Sequence, residues 1–433
     1  MQCELRTDDD SMSDTFEVEA GKKGSFAEKL GMHPGLAIGY LGLLLFMIGD
    51  GVEAGFLSPL LVDLHFSTEK VALVFSAYGA TAALASWLSG ALTDIFGPKK
   101  IMWAGLLIWL GLEMPFLLGG IAHANFTTIL VSYGVRGLGY PLFAYGFLCW
   151  IAAVTPQRYL ATAIGWFWSA RTGGLPTLGA LLASFSVPLI GGYKTLWVSV
   201  GLVAAGGLIV LLGVREEHGN LPLSTTGDDP LKVLFTGVSI IWKHPKVGLG
   251  GIVATITTTS EFGFLVFLPI FFVRAVGFTL AQWLQILSVM FATNVVANLF
   301  WGWVGDKIGW RRTITFAGAC GCAVTTLGLY YVPHIFGANY ALVMAAGMAY
   351  GIALAGFVPI AAIMSILAPE SRGAAMSIMN LGSGLSTFLG PALAGIFLPR
   401  MGVSGVIWIF AFMYLLSAAV SYQLKLPGVR PLR

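Results

Sequence analysis

Apolar residues run through this chain in long stretches broken by short clusters of Gly, Pro and charge, not in the brief periodic patches of a soluble core. Most stretches exceed the roughly 20 residues that cross about 30 Å of hydrocarbon as a helix. The breaks predict helices at 36–64, 70–93, 101–122, 126–154, 160–186 and 190–213, then at 247–273, 280–305, 313–333, 339–367, 373–398 and 404–424. Between the two sets lies the one long polar segment, with Arg215, Glu216, Glu217, His218, Asp228, Asp229, Lys232, Lys243 and Lys246. The chain therefore divides into a polar tail (1–35), a six-helix half (36–213), a linker (214–246), a second six-helix half (247–424) and a short tail (425–433). The predicted class is an all-α integral membrane protein of twelve transmembrane helices.

Composition strengthens that picture, since 57% of the 433 residues are hydrophobic and 10% charged, where a soluble domain carries roughly a quarter charged residues. The net charge of +3 matters less than its placement. Of the 24 Lys and Arg, only Lys70, Lys194, Arg274 and Arg400 fall in one set of loops, and Arg136 and Arg171 fall inside helices. All the others share the opposite side with both termini, which the positive-inside rule makes cytoplasmic. The N-terminal stretch, with Asp8, Asp9 and Asp10 in a row, lacks the basic start and short apolar run of a signal peptide and is expected to be a cytoplasmic tail. Cys3, Cys149, Cys320 and Cys322 form no disulfide framework. The six histidines show no metal-ligand spacing, so no metal is expected. Asn125-Phe126-Thr127 matches a glycosylation sequon in form only, being short of room beside the membrane.

The two halves repeat one another. Gly90, Asp94, Gly97, Lys99 and Lys100 recur at one fixed offset as Gly302, Asp306, Gly309, Arg311 and Arg312, which indicates internal duplication. These segments, GALTDIFGPKK and GWVGDKIGWRR, resemble the loop signature of the major facilitator superfamily. The first copy departs from it in having Ile95 where a basic residue is usual. Arg136 in the fourth-helix segment RGLGYPLF and the Gly-Pro elements GGLPTLG and GPALAG fit the same family. A finer resemblance, carried by MIGDGVEAGFLS, HANFTTILVSYGVRGLGYPLFAYGF, AIGWFWSA, GFTLAQWLQ and SRGAAMSIMNLGSGLS, is to the bacterial polyol porters, the ribitol and arabinitol permeases. The resemblance implies two pseudo-symmetric halves that rock about a central cavity. It places the first, fourth, seventh and tenth helices on the cavity, the second, fifth, eighth and eleventh beside them, and the third at the periphery.

No phosphate-binding loop is present, because GKKGS at 21–25 lacks the spacing. Uphill transport must therefore borrow an ion gradient, and no cofactor is called for. Asp50 and Glu53, three residues apart on one face of the first helix, are candidates for proton coupling, with Arg136 as their partner. The bland alternative is that a carboxylate only neutralises Arg136 or Arg171, since an isolated ion at membrane depth costs at least about 2.5 kcal/mol. Glu53, Arg136, Tyr140, Trp166, Arg171, Glu261, Gln285, Asn294, Asn298 and Asn380 are candidate solute contacts. For Arg171 a structural ion pair and for Trp166 an interfacial anchor weigh equally against that role, and helix-to-helix bonding competes for the amides. Amides that both donate and accept suit a polyol better than a dianion, which favours converging cations. Glu113 has no assigned role, because its helix is the peripheral third. Asp94, Lys99, Lys100, Asp306, Arg311 and Arg312 are candidate inner-side latches for gating.

These readings converge on a proton-coupled symporter of a linear polyol, with a small carboxylate as the alternative cargo, motivated by Arg136 and Arg171, and export of amphipathic compounds as a further one. The expected partners are a small solute, protons and the bilayer of a bacterial inner membrane, with no nucleic acid and a single chain as the working unit. A membrane enzyme or receptor finds no support in any metal cluster or nucleophile constellation.

Overall fold

The computed structural model describes residues 30–223, 239–368 and 372–424. The predicted tails up to residue 29 and from 425, and linker residues 224–238, lie outside the described residues. Among the described residues, eleven helical stretches are long and apolar enough to span a membrane: α1 Pro34–Asp63, α2 Thr68–Phe96, α3 Pro98–Ile121, α4 Phe126–Val154, α5 Thr162–Ile190, α6 Gly192–Gly213, α7 Pro245–Val276, α8 Leu280–Ile308, α9 Trp310–Phe336, α10 Tyr340–Met364 and a last stretch, Ala375–Gln423. The last holds 49 residues, more than twice what one crossing needs. Gly402 breaks it at φ 65° and ψ −175°, a left-handed conformation that glycine adopts without Cβ strain, giving α11 (375–401) and α12 (403–423). The twelve helices form two six-helix halves.

Local chemistry fixes the ends. Ser67 and Asn125 cap α2 and α4 by accepting from Lys70 N and Thr128 N, and Thr279 with Gln282 makes a capping box at α8. The repeated signature is punctuated by Gly97 (φ 90°) and Gly309 (φ 99°), which stop α2 and α8 and turn the chain into α3 and α9. The duplicated glycines are therefore a duplicated turn.

The halves are fused at one end and separate at the other. Around the loops after α1, α3, α5, α7, α9 and α11, side chains of both halves belong to one apolar core, in which Phe56, Leu61 and Phe75 join Phe264, Phe267, Trp283 and Leu284. Three bonds from side chains to backbone carbonyls cross this seam: Ser58 Oγ donates to Val266 O, Trp283 Nε1 to Gly55 O at 2.9 Å, and Thr387 Oγ1 to Gly79 O at 2.9 Å. An exposed ion pair, Arg274 to Asp63 at 2.8 Å, spans the rim. Toward the opposite end the core splits in two. Tyr40, Phe46, Trp109, Phe143 and Phe147 pack within the first half, and Ile240, Val247, Met364 and Ile378 within the second. On the repeated signature itself, a Cβ placed on Gly90 or Gly302 would meet nothing within 4 Å.

Candidate functional site

The seam ends in a cavity of about 340 Å³ between the halves. Its wall comes from α1, α2, α4, α5, α7, α8, α10 and α11, and its polar groups are Asp50, Glu53, Tyr78, Tyr133, Tyr140, Arg171, Thr172, Thr257, Thr258, Glu261, Asn294, Asn298, Ser383 and Thr387. Eight helices from both halves thus meet on one space, as expected of a carrier whose halves rock about it.

Behind the α1 wall lies a buried charge cluster. The Arg136 guanidinium, fully buried, forks onto Glu53, with Nη2 on Oε1 and Nη1 on Oε2 (3.1 Å), and Nη1 also donates to Glu113 Oε2. Four rings enclose it: Tyr133, Trp109, Phe116 and Tyr78, at 4.4, 4.7, 5.6 and 5.8 Å from the guanidinium carbon. Cation–π attraction in such a desolvated site adds to the ion pairing. Asp50 is held separately, accepting from Trp109 Nε1 at 2.7 Å. The helical spacing that put Asp50 and Glu53 on one face of α1 is realised, and both reach the cavity.

Glu113 lies on the helix that the family resemblance puts at the periphery. α3 does pack outside α4, yet its fully buried Glu113 points inward and pairs with Arg136. The signal in the sequence was a charged residue one turn after Trp109 in an otherwise apolar helix, a combination that is expensive unless paired.

The second charged pair faces the cavity without touching. Arg171 on α5 lies over Trp168 (5.5 Å) and 3.5 Å from the Tyr140 hydroxyl, and its Nε has no hydrogen-bond partner among the described residues. Glu261 on α7 lines the opposite half, with no ion pair to Arg171. Asn294 donates to Gly351 O at 3.2 Å while also lining the cavity beside Asn298.

Three proposed contacts lie elsewhere. Trp166 donates to Leu30 O at 3.0 Å, and Trp168, two residues on, takes the place at the wall. Gln285 accepts from the Tyr340 hydroxyl at 2.8 Å near the fused end. Asn380 is exposed, one residue off the stripe of Met379, Ser383, Thr387 and Pro391 that faces the cavity. Of the proposed latch residues, Lys99 donates to Val214 O (2.8 Å) and lies over Trp150, Asp306 accepts from Trp310 Nε1 (2.8 Å), and Arg311 donates to Tyr422 O (3.2 Å). Asp94 is half-buried, Lys100 and Arg312 are exposed, and no ion pair joins any of the six to another.

The family model described as Major Facilitator Superfamily matches residues 39–317 and again 250–431, and the two overlapping matches together cover both halves. An alpha-ketoglutarate permease of Bacillus subtilis is 42% identical over 92% of this chain and 90% of its own length. A ribitol transporter of Klebsiella pneumoniae is 37% identical over 89% of this chain and 91% of its own. Among solved structures, the nucleoside transporter NupG superposes with a TM-score of 0.68 at 16% identity, covering 89% of this chain and 99% of that one, which supports the fold. The chain belongs to the Major Facilitator Superfamily: it is a multi-pass membrane transporter of small solutes, not an enzyme.

Proposed function

We propose that this transporter couples the inward movement of a proton to uptake of a linear polyol, a pentitol such as ribitol, arabinitol or xylitol, by alternating access. The observation that carries the coupling is the charge count around Arg136. Asp50, Glu53 and Glu113 surround a single guanidinium, so the cluster is electroneutral only when two protons are bound. An unbalanced charge at membrane depth costs at least about 2.5 kcal/mol. Two of the three carboxyls border the cavity, where protons can be exchanged with water. One proton moving down about 100 mV supplies roughly 2.3 kcal/mol, enough for about a fifty-fold solute gradient.

The polyol reading rests on the rest of the wall. Asn294, Asn298, Thr257, Thr258 and Tyr140 offer donors and acceptors, and Arg171 with Glu261 adds one of each charge. Carboxyls outnumber guanidiniums at the site, which disfavours a dianion. The 37% identity to a ribitol transporter supports the same reading. With both termini cytoplasmic, the fused end faces outward and the cavity is closed to the outside. Both halves of the cavity come from one chain, which supports a working monomer.

A second reading, uptake of a small carboxylate, is favoured by one observation, the Arg171 guanidinium at the wall with its Nε left without a partner among the described residues, together with the similarity to an alpha-ketoglutarate permease. Proteoliposomes with an imposed pH gradient separate the two. Accumulation of labelled ribitol, arabinitol or xylitol that a protonophore abolishes supports the polyol symporter. Accumulation of 2-oxoglutarate instead, lost in Arg171→Gln, would replace it with the carboxylate carrier.

A further inference from the structure

Glu113 is the one carboxyl of the cluster that does not border the cavity. Asp50 and Glu53 are part of its wall, whereas Glu113 on α3 is fully buried and does not line it, and Trp109 and Phe116, buried too, lie against the Arg136 guanidinium. Its Oε2 accepts from Arg136 Nη1, and its Oε1 has no hydrogen-bond partner among the described residues. Arg136 therefore sits between a carboxyl that reaches the cavity and one that does not.

We infer that Glu113 is the standing counter-ion of Arg136, a positioning residue that keeps the guanidinium neutralised and in place while Glu53 binds and releases the transported proton. The inference rests on the proton-coupled reading. The step is a simple transfer. Hydronium on the proton-rich side gives a proton to the Glu53 carboxylate and leaves as water, the bonds from Arg136 to Glu53 weaken, and the one to Glu113 remains. The proton returns to water when the cavity faces the other side. With Asp50 carrying the second proton of the neutral cluster, loss of Glu113 would mean that protonating Glu53 strands a lone cation at membrane depth, which is unfavourable by on the order of a hundredfold.

Other charged and titratable groups facing the cluster are Asp50 on α1, Tyr78 on α2, Tyr133 and Tyr140 on α4, and Arg171 on α5, with Glu261 across the cavity on α7. None of them bonds to Arg136. Glu113 is thus placed to hold the guanidinium whenever Glu53 is neutral.

The test is the pH profile of proton-driven accumulation in proteoliposomes, with labelled ribitol as the probe and 2-oxoglutarate in its place if that is what the wild type takes up. In Glu113→Gln the pH midpoint of accumulation moves toward acid by about two units, and counterflow of the labelled solute survives at acid pH. Glu113→Asp, which keeps the charge, restores most of the wild-type profile. An unshifted profile in Glu113→Gln overturns the inference and leaves coupling intact. A wild type whose accumulation ignores the pH gradient overturns the coupling reading itself. Melting temperatures in detergent give a second, solute-free test. Glu53→Gln melts as the wild type does, because Glu113 still balances Arg136, and Glu53→Gln with Glu113→Gln melts clearly lower. A Glu53→Gln protein as unstable as the double variant would show that Glu113 does not carry the balancing charge.

Discussion

Replacing Trp283 with Phe tests whether the fused end is held by the bonds that cross it. Trp283 on α8 is buried, stacks on Phe272 (5.3 Å, 18°) within its own half, and donates to Gly55 O of α1 in the other half. Phenylalanine keeps the stacking and loses the donor. A net hydrogen bond is worth about 0.5–1.5 kcal/mol, so removing one that exists only while this end is shut raises the open population about two- to twelve-fold. Leu284 is fully buried and packs against Gly55 at the same seam. A cysteine at that position, in a background without the native cysteines, should react with a membrane-impermeant maleimide only when the end opens. Its labelling rate is expected to rise about fivefold in the Trp283→Phe background. An equal or slower rate would refute the idea that this bond biases the equilibrium, and would leave the seal to the apolar contacts around Phe56 and Leu287.

Two further substitutions probe packing and charge. Gly51→Ala places a methyl 2.6 Å from the Leu175 Cα, against the backbone of α5, and is expected to destabilise by about 1–3 kcal/mol. Gly111→Ala, where a Cβ meets nothing within 4 Å, should leave the melting temperature unchanged or raise it; equal losses in both would mean that close approach is not what selects Gly51. Arg136→Ala leaves Glu53 and Glu113 without their cation and should cost about 3–5 kcal/mol. Arg136→Lys should recover only part of this, because a single ammonium cannot reproduce the fork across two carboxylates; a lysine variant with wild-type stability would argue against that geometry.

The fold was legible because the bilayer makes hydrophobic length the dominant signal, and because Gly97 and Gly309 mark one turn twice. Asp50, Glu53, Arg136, Arg171 and Glu261 were legible for a related reason: a charge inside an apolar helix must face protein. Rotation about the helix axis was harder to read. Trp166 and Trp168 lie about 200° apart around α5, and nothing local says which one meets the cavity. Asn380 misses the stripe of Ser383 and Thr387 by a single residue, about 100° of rotation. Gln285 lies nine residues from Asn294, about 13 Å along α8, which carries it to the fused end and Tyr340. Glu113 depended on a contact between α3 and α4 that no spacing within either helix encodes.

Duplication of the fold has not duplicated its chemistry. In the first half, the space among α1, α3 and α4 holds three carboxyls and a guanidinium. In the second half, Tyr350 on α10 and Tyr414 on α12 share a hydroxyl bond of 2.8 Å, and Tyr414 donates to Thr257 O on α7 at 3.1 Å. That network is built of hydroxyls and a backbone carbonyl, and the Glu261 carboxyl of this half lies at the cavity wall instead. The cavity between the halves, by contrast, draws Arg171 from the first half and Glu261 from the second. Proton binding in the proposed cycle therefore changes the charge of one half alone, while the solute must touch both. On the proposed reading, a solute that bridges Arg171 and Glu261 would draw the halves together, and the protonation of Glu53 would set whether the first half is neutral enough to move with it. Coupling on this scheme needs no contact between proton and solute, only one rocking motion that both of them bias.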